Sequence, residues 1–443
     1  MKKIGFIIIC VLLFQGIKAQ DTLRITLPEA LDIALSESPT IKIADKEIER
    51  VDYSKKSAWY GLIPNFEGSG QYAKYVSPAT MSLAGMTIEL PTDFNANASL
   101  SASLPLFAPA LWESIRMTKV DMQLAVEKAR ASKITLRNDV LKAYYSVMLA
   151  QDSYQALLSS HSLSEEVYKQ AKKRFELGLA AEYDVISAEV QMKNLEPNIL
   201  EVENGIEQAK QFLKILMGVD VAQPIKIVGS LSDFENEIVA INNSKNFSIN
   251  ENTDIKQINI QQQQLQSALR LQRTQRMPML AAFGQYGYAG TGNNAGNNPF
   301  TGMPMPADES WFSQGMLVGL QLNIPLTGIF TNIAKEKQTK IQIEQLGIQR
   351  DYLQNSINVQ MLTAQNNMEK AAKQADSAKS NAAMAQKGYD ISLKRYENGM
   401  GTIIELQNAS LALTQAKLAY NQALSSFLTA KADLEKIMGR EVI

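Results

Sequence analysis

The chain has 443 residues, with 44 Lys and Arg against 45 Asp and Glu, one His and one Cys. That near-neutral balance leaves neither a nucleic-acid footprint nor an acidic tail. No apolar run reaches the roughly eighteen residues of a transmembrane helix, but a transmembrane β-strand needs only about ten alternating residues, so a membrane role stays open.

In chain order, Lys2 and Lys3 precede an apolar run from Ile4 to Phe14, and Ile17-Lys18-Ala19 offers a small residue before a cut. This charge–apolar–cleavage order predicts a secretory signal peptide over residues 1–19. A lipoprotein anchor is disfavoured, because Cys10 lies inside the apolar run with Ile9 before it. Cleavage after Ala19 removes Cys10 and three lysines, taking the net charge from −1 to −4 and leaving no thiol for a disulfide or a metal.

Thr26-x-x-Glu29 reads as a capping box opening a helix from about Leu27 to Tyr60. Phe66, Gly68, Gly70 and Tyr72 then alternate with Glu67, Ser69 and Gln71. Leu100, Ala102 and Leu104 alternate with Ser99, Ser101 and Ser103, which predicts two strands joined by a long polar linker from Ser77 to Asn95. A helix from Pro109 to Leu177, about 100 Å long at 1.5 Å per residue, stops at Gly178, where glycine supplies a left-handed cap. The return helix carries a heptad through Ala188, Met192, Leu195, Ile199, Val202, Ile206, Ala209, Leu213 and Leu216. Pro197 should kink or restart it.

The remainder repeats this plan. Arg174-Phe175-Glu176-Leu177-Gly178 recurs as Arg395-Tyr396-Glu397-Asn398-Gly399, and Leu216-Met217-Gly218 as Ile437-Met438-Gly439, both at an offset of 221 residues. Leu104-Pro105-Leu106 matches Ile324-Pro325-Leu326 at 220, and Gly70-Gln71-Tyr72 matches Gly284-Gln285-Tyr286 at 214. Two copies are therefore expected, residues 20–230 and 251–443, separated by a linker at 231–250. In the second copy, strands run around Leu280–Tyr288, where Phe283 falls on the polar side, and Met316–Ile324. The linker from Gly290 to Gln314 reads as polar, and its Gly290-Thr291-Gly292-Asn293-Asn294 stretch as an exposed loop.

Spacings of 4 and 3 pick out Ile357, Met361, Ala364, Met368, Ala371, Ala375, Ala378, Ala382, Ala385, Tyr389, Ser392 and Tyr396. The same seam lies 221 residues earlier, from Leu136, Val140, Ala143 and Val147 through His161 to Ala171 and Phe175. The last helix has an apolar seam of Leu413, Tyr420, Leu424, Phe427 and Leu434. A small-residue seam of Ala409, Ala412, Ala416, Ala419, Ala423, Ser426 and Ala430 runs beside it. Two seams on one helix predict two helical neighbours, and the alanines let backbones approach as in a wall of helices. Four strands cannot close a barrel, since the smallest single-chain membrane barrels have about eight. Open edges in lipid leave backbone groups unsatisfied, so strands entering a membrane require several chains to share one barrel.

Taken together, Leu27-Pro28-Glu29-Ala30-Leu31 with Ser38-Pro39, the doubled Arg-aromatic-Glu-x-Gly turns, the strand-ending Leu-Pro-Leu and Ile-Pro-Leu, and the terminal Met-Gly pairs resemble the TolC-like outer-membrane efflux family. The resemblance covers essentially the whole chain after the signal peptide. It implies an α plus membrane-β fold with internal duplication. A homotrimer would share a twelve-stranded β-barrel, four strands per chain, continued through the periplasm by an α-helical barrel. It also implies an outer-membrane location extending into the periplasm. The partners it implies are a periplasmic adaptor (membrane fusion) protein, an inner-membrane transporter and outer-membrane lipid. The function implied is that of the outer-membrane channel subunit of a tripartite export system.

The same resemblance places Glu405 and Asn408 at a periplasmic entrance ring, where family members carry carboxylates; the bland alternative is a solvated helix face. It places Arg174, Glu176, Gly178, Arg395, Glu397 and Gly399 at tips that dock the adaptor, against local helix-end salt bridges as the alternative. An arginine that latches the entrance in the family is replaced here by Gly401. His161, the only histidine, sits on the apolar seam and is expected to pack there. No Walker loop, HExxH helix or nucleophile elbow is present, so no enzyme activity, metal or cofactor is expected. A porin or adhesin barrel with a periplasmic coiled-coil stalk is the rival, but it would need eight or more strands in a chain mostly filled by helical heptads.

Overall fold

The computed structural model describes residues 23–77, 79–83, 86–90, 92–240, 248–293, 295–297, 303–326 and 328–440. The expected signal peptide and Asn294 lie outside the described residues. The helices are α1 (Leu27–Glu37), α2 (Pro39–Tyr60), α3 (Pro109–Glu176), α4 (Glu182–Lys193), α5 (Glu196–Met217), α6 (Asn236–Ala240), α7 (Thr253–Thr274), α8 (Gly328–Glu397) and α9 (Ile403–Met438). The strands are β1 (Leu23–Ile25), β2 (Asn65–Lys74), β3 (Ala79–Leu83), β4 (Met86–Leu90), β5 (Thr92–Phe107), β6 (Ile225–Ile227), β7 (Met279–Asn293), β8 (Gly296–Asn297), β9 (Pro304–Met305) and β10 (Asp308–Asn323). The chain divides into two compact units, one built from residues 1–47, 126–257 and 350–443, the other from 48–125 and 258–349.

The first unit is helical. Every residue of the predicted long-helix seams is buried or half-buried from Leu136 to Ala171 and from Ile357 to Tyr396. The exception is Phe175, which is 44% exposed where its counterpart Tyr396 is 4% exposed. On α9, Leu413, Leu424, Phe427 and Leu434 are buried, whereas Ala412 and Ala419 of the small-residue seam are exposed.

The helix predicted from Leu27 to Tyr60 is two helices. Ser38 turns out of the helix with ψ 133°, because the ring of Pro39 disfavours helical geometry in the residue before it. Ahead of the break, the Thr26 backbone N–H and hydroxyl each donate to Glu29 Oε2 at 2.8 Å, and these bonds hold the Glu29 carboxyl below its ordinary range. The return helix restarts as expected: α4 ends at Lys193, and Pro197 enters α5 in its first turn, where a missing N–H costs nothing.

Four helix ends share one cap. Gly178, Gly218, Gly399 and Gly439 have φ of +74°, +71°, +72° and +67°. At each, the glycine N–H donates three residues back and the next N–H five residues back, as in Gly178 to Phe175 at 2.8 Å and Leu179 to Arg174 at 2.8 Å. This is the Schellman arrangement. A Cβ on Gly218 would strike the Glu37 carbonyl and one on Gly439 the Glu251 carbonyl, so the two copies also repeat a tertiary contact.

One element was not visible in the sequence. β1 and β6 form a parallel ladder whose Ile25, Ile225 and Ile227 are buried. The Tyr144 hydroxyl donates to the carbonyls of Ile25 at 3.2 Å and Val228 at 2.9 Å. Burial, reinforced by the Glu29 and Asp233 charges, pushes that hydroxyl up to about 12, which keeps it a donor.

The second unit contains an antiparallel four-stranded sheet in the order β10-β7-β5-β2. Its strands are longer than the alternation predicts. β7 continues to Asn293, so the Gly290-Thr291-Gly292-Asn293 stretch expected as loop is paired strand. The reason is packing across the ladder: the Trp311 ring occupies the space above Gly290, and the Phe94 ring that above Gly292. Within the linker read from Ser77 to Asn95, β3 and β4 form a small hairpin of their own.

Candidate functional site

In antiparallel pairs, directly opposed residues share a face and successive residues alternate between faces. The observed register therefore sorts the sheet. Leu322, Leu320, Val318 and Met316 oppose Leu280, Ala282, Gly284 and Tyr286. These in turn oppose Leu104, Ala102 and Leu100, and the row ends on Phe66 and Gly68. That face is apolar and solvent-facing, with Leu320 at 67%, Val318 at 67% and Phe66 at 70% exposure. The opposite face carries Glu67, Ser69 and Gln71 against Ser101, Ser99 and Asn97, with Gln285 and Gln321 beyond them. Leu317, opposite Gln285, and Phe283 break the polar pattern, the latter as the sequence implied. The Phe283 ring lies over Gly319 of the neighbouring strand and fills the space a side chain there would take.

An aromatic row crosses the apolar face near the hairpin end. Tyr72 stacks on Phe94 at 5.5 Å, Phe94 meets Trp311 at 6.1 Å, and Trp311 stacks on Tyr288 at 6.2 Å. Membrane β-barrels carry such girdles where the apolar band meets the interface. This row was missed from sequence, although Gly290 and Gly292 opposite bulky rings were the available signal.

In the first unit, the turns after α3 and α8 lie against each other. Arg174 leaves its own turn: its Nη1 donates to the Tyr396 carbonyl at 2.8 Å, and its guanidinium lies 4.9 Å from the centre of the Tyr396 ring. Tyr396 is buried beneath it, and its hydroxyl has no hydrogen-bond partner among the described residues. Arg395 stays on its own turn, with Nη2 donating to the Met400 carbonyl at 3.3 Å and Nη1 3.5 Å from Glu405 Oε2. Glu405 occupies the first turn of α9, where its backbone N–H donates to the capping Thr402 hydroxyl at 3.2 Å. Asn408, one turn on, is exposed. Glu176 and Glu397 are exposed at the last residues of α3 and α8. Beyond the turns, Ser187 of α4 donates to Gln407 of α9 at 3.0 Å, and Ser160 and Thr414 share a buried 2.7 Å bond. His161 is half-buried on α3.

The family described as "Outer membrane efflux protein" matches residues 30–219 and again 247–440. The chain belongs to that family. Among relatives of this outer membrane efflux protein, "Outer membrane protein TolC" of Vibrio cholerae serotype O1 is 22% identical over 367 residues, 77% of this chain and 76% of its own length. Among solved structures, the CmeC outer membrane channel of Campylobacter jejuni superposes with a TM-score of 0.69 at 17% identity, covering 93% of this chain and 85% of that one. The open state of the MtrE outer membrane channel of Neisseria gonorrhoeae gives a TM-score of 0.68 at 17% identity, covering 93% and 88%. At these identities the structural likeness is one of fold. It is the fold of outer-membrane channels, with mostly helical chains and a few long strands.

The residues singled out in sequence thus gather in one place, with two qualifications. Arg174 is committed to Tyr396, and Glu405 stands beside a cation.

Proposed function

We propose that this efflux-family chain is one subunit of a homotrimeric outer-membrane duct, and that the duct completes a tripartite export system with a periplasmic adaptor protein and an inner-membrane transporter. The observation that carries this reading is the sheet. It has one apolar face, one polar face, and two outer strands, β2 and β10, that pair on one side only among the described residues. A sheet of four strands is too small to close in lipid, and open edges there leave several backbone groups unsatisfied. Because β2 and β10 run in opposite directions, joining β10 of one copy to β2 of the next continues the antiparallel alternation. Three copies then close a twelve-stranded barrel with lipid outside and water inside.

The helices of the trimer form the periplasmic continuation. The exposed Ala412 and Ala419 supply a close-packing surface for a neighbouring helix. Glu405 and Asn408 line the periplasmic mouth. Glu176, Gly178, Arg395, Glu397 and Gly399 form the tip that meets the adaptor, and Arg174 shapes that tip from within by holding Tyr396. Cargo passes through without chemistry, so no cofactor or metal takes part.

Light scattering of detergent-extracted protein tests the assembly, with circular dichroism run alongside. The expected result is a trimer with a predominantly helical spectrum and a minor β component. A stable monomer without detergent would overturn the reading.

A further inference from the structure

The turn after α8 brings together two opposite charges that the sequence reading had assigned to separate tasks. Arg395 precedes Gly399 and Glu405 follows it, yet Nη1 and Oε2 are 3.5 Å apart. Gly401 makes the approach possible. Its N–H donates to the Arg395 carbonyl at 3.1 Å, and a Cβ there would lie 3.2 Å from both Arg395 Cβ and Tyr396 N. The missing side chain lets the start of α9 fold close against the end of α8, within reach of the arginine. A second bond, from Nη2 to the Met400 carbonyl at 3.3 Å, holds the guanidinium across the turn. The first copy is built otherwise. Arg174 points to Tyr396, and Asp184, at the place of Glu405, accepts from its own Ala181 N–H at 3.4 Å.

We infer that Arg395 is a specificity-determining residue of the mouth, setting its ion preference by cancelling the charge of Glu405. The inference rests on the reading that Glu405 faces the passage. Both side chains are about half exposed, at 52% and 49%, so the pair contributes little to stability. Ion preference follows a different rule, because a permeating ion responds to the net charge near its path. Bare carboxylates contributed by each subunit would make a ring that concentrates cations and repels anions. With Arg395 beside each carboxylate, the ring carries alternating charge of zero sum, and Asn408 adds none. A unit charge about 5 Å from an ion in a water-like dielectric changes the ion's local population by about fourfold, and salt damps the effect over roughly 10 Å.

The test is reversal-potential measurement on the full channel in planar bilayers under a potassium chloride gradient, with Arg395→Gln, Glu405→Gln, the double variant and Arg395→Lys. Arg395→Gln is expected to raise the potassium-to-chloride permeability ratio by at least about fourfold, because the uncovered charge enriches potassium and depletes chloride together while salt damps both effects. Glu405→Gln should lower it by a similar factor, leaving cations unpaired. The double variant should return toward wild type, and Arg395→Lys should match wild type because it keeps the charge. If Glu405→Gln shifts the ratio and Arg395→Gln does not, the assignment of Arg395 fails while the mouth reading stands. If both shift it in the same direction, Arg395 acts through structure and the assignment fails again. If neither shifts it, Glu405 does not face the passage and both readings fall together.

Discussion

At the end of α3 an arginine leaves its turn to cover Tyr396, while at the end of α8 an arginine folds back over its own turn toward Glu405. The main chains of the two turns are the same, with glycines at φ +74° and +72° and the same pair of backbone hydrogen bonds. The side chains above them differ, because Phe175 is 44% exposed and Tyr396 4%. A glycine cap is dictated locally, by which residue tolerates a left-handed backbone. What an arginine does beside that cap depends on what lies within its reach: Tyr396 of the distant turn for Arg174, Met400 and Glu405 of its own turn for Arg395. The two turns are equivalent scaffolds, and the residues mounted on them take different partners.

The sharpest test of this asymmetry is truncation of the two aromatics. Tyr396→Ala should cost about 3–5 kcal/mol in line with other buried aromatic truncations, while Phe175→Ala should cost under about 1 kcal/mol; chemical unfolding in detergent followed by circular dichroism would measure both. Tyr396→Phe should be neutral or stabilising, because it removes a buried hydroxyl that has no hydrogen-bond partner among the described residues. Equal losses at positions 175 and 396 would remove the distinction between the turns.

A second comparison sets the glycines after α3 and α8 against their counterparts at the other helix ends. Gly218→Ala and Gly439→Ala add a Cβ onto a carbonyl as well as a left-handed strain, and should cost about 2–4 kcal/mol. Gly178→Ala and Gly399→Ala carry the strain with no backbone in the way, so about 1–2 kcal/mol is expected. Thermal melts of the four variants would rank them.

The smallest effect belongs to the arginines. Arg174→Met should cost about 1–2 kcal/mol through the lost carbonyl bond and ring contact, and Arg395→Met no more than about 0.5 kcal/mol. A large loss at Arg395 would mean that its ion pair is structural and would blur the contrast.

Much of this architecture was legible because it is periodic or punctuated. The 4-and-3 seams are written on α3, α4, α5, α8 and α9, and apart from Phe175, Ala412 and Ala419 those residues are buried or half-buried. The glycine stops sit where the caps form, and Pro197 marks the restart of the return helix. The alternation in β2, β5 and β10 already separated the two faces of the sheet. The rest lay beyond local pattern. β1 and β6 are three residues each, too short to carry a period. Gly290 to Asn293 has the composition of a loop, and its strand geometry depends on rings contributed by Phe94 and Trp311. Nothing in the two Arg-aromatic-Glu-x-Gly motifs distinguishes Arg174 from Arg395, since Arg174 finds its partner on the other turn, more than two hundred residues away.

The polar face of the sheet has one further consequence. Glu67 is its only charged side chain among Asn65–Gln71, Asn95–Ser103, Ala281–Gln285 and Leu317–Asn323, and Asp308, opposite Asn293, joins the same face at the hairpin end. The remainder is mostly short hydroxyls and amides, each able to donate or accept a hydrogen bond. In the barrel proposed above, such a lining would keep a layer of water and reorient around whatever passes, so a solute would travel with its own hydration shell and meet few fixed charges that hold it. Throughput in a duct depends on release as much as on entry. In the proposed duct, a wet wall with few charges favours release.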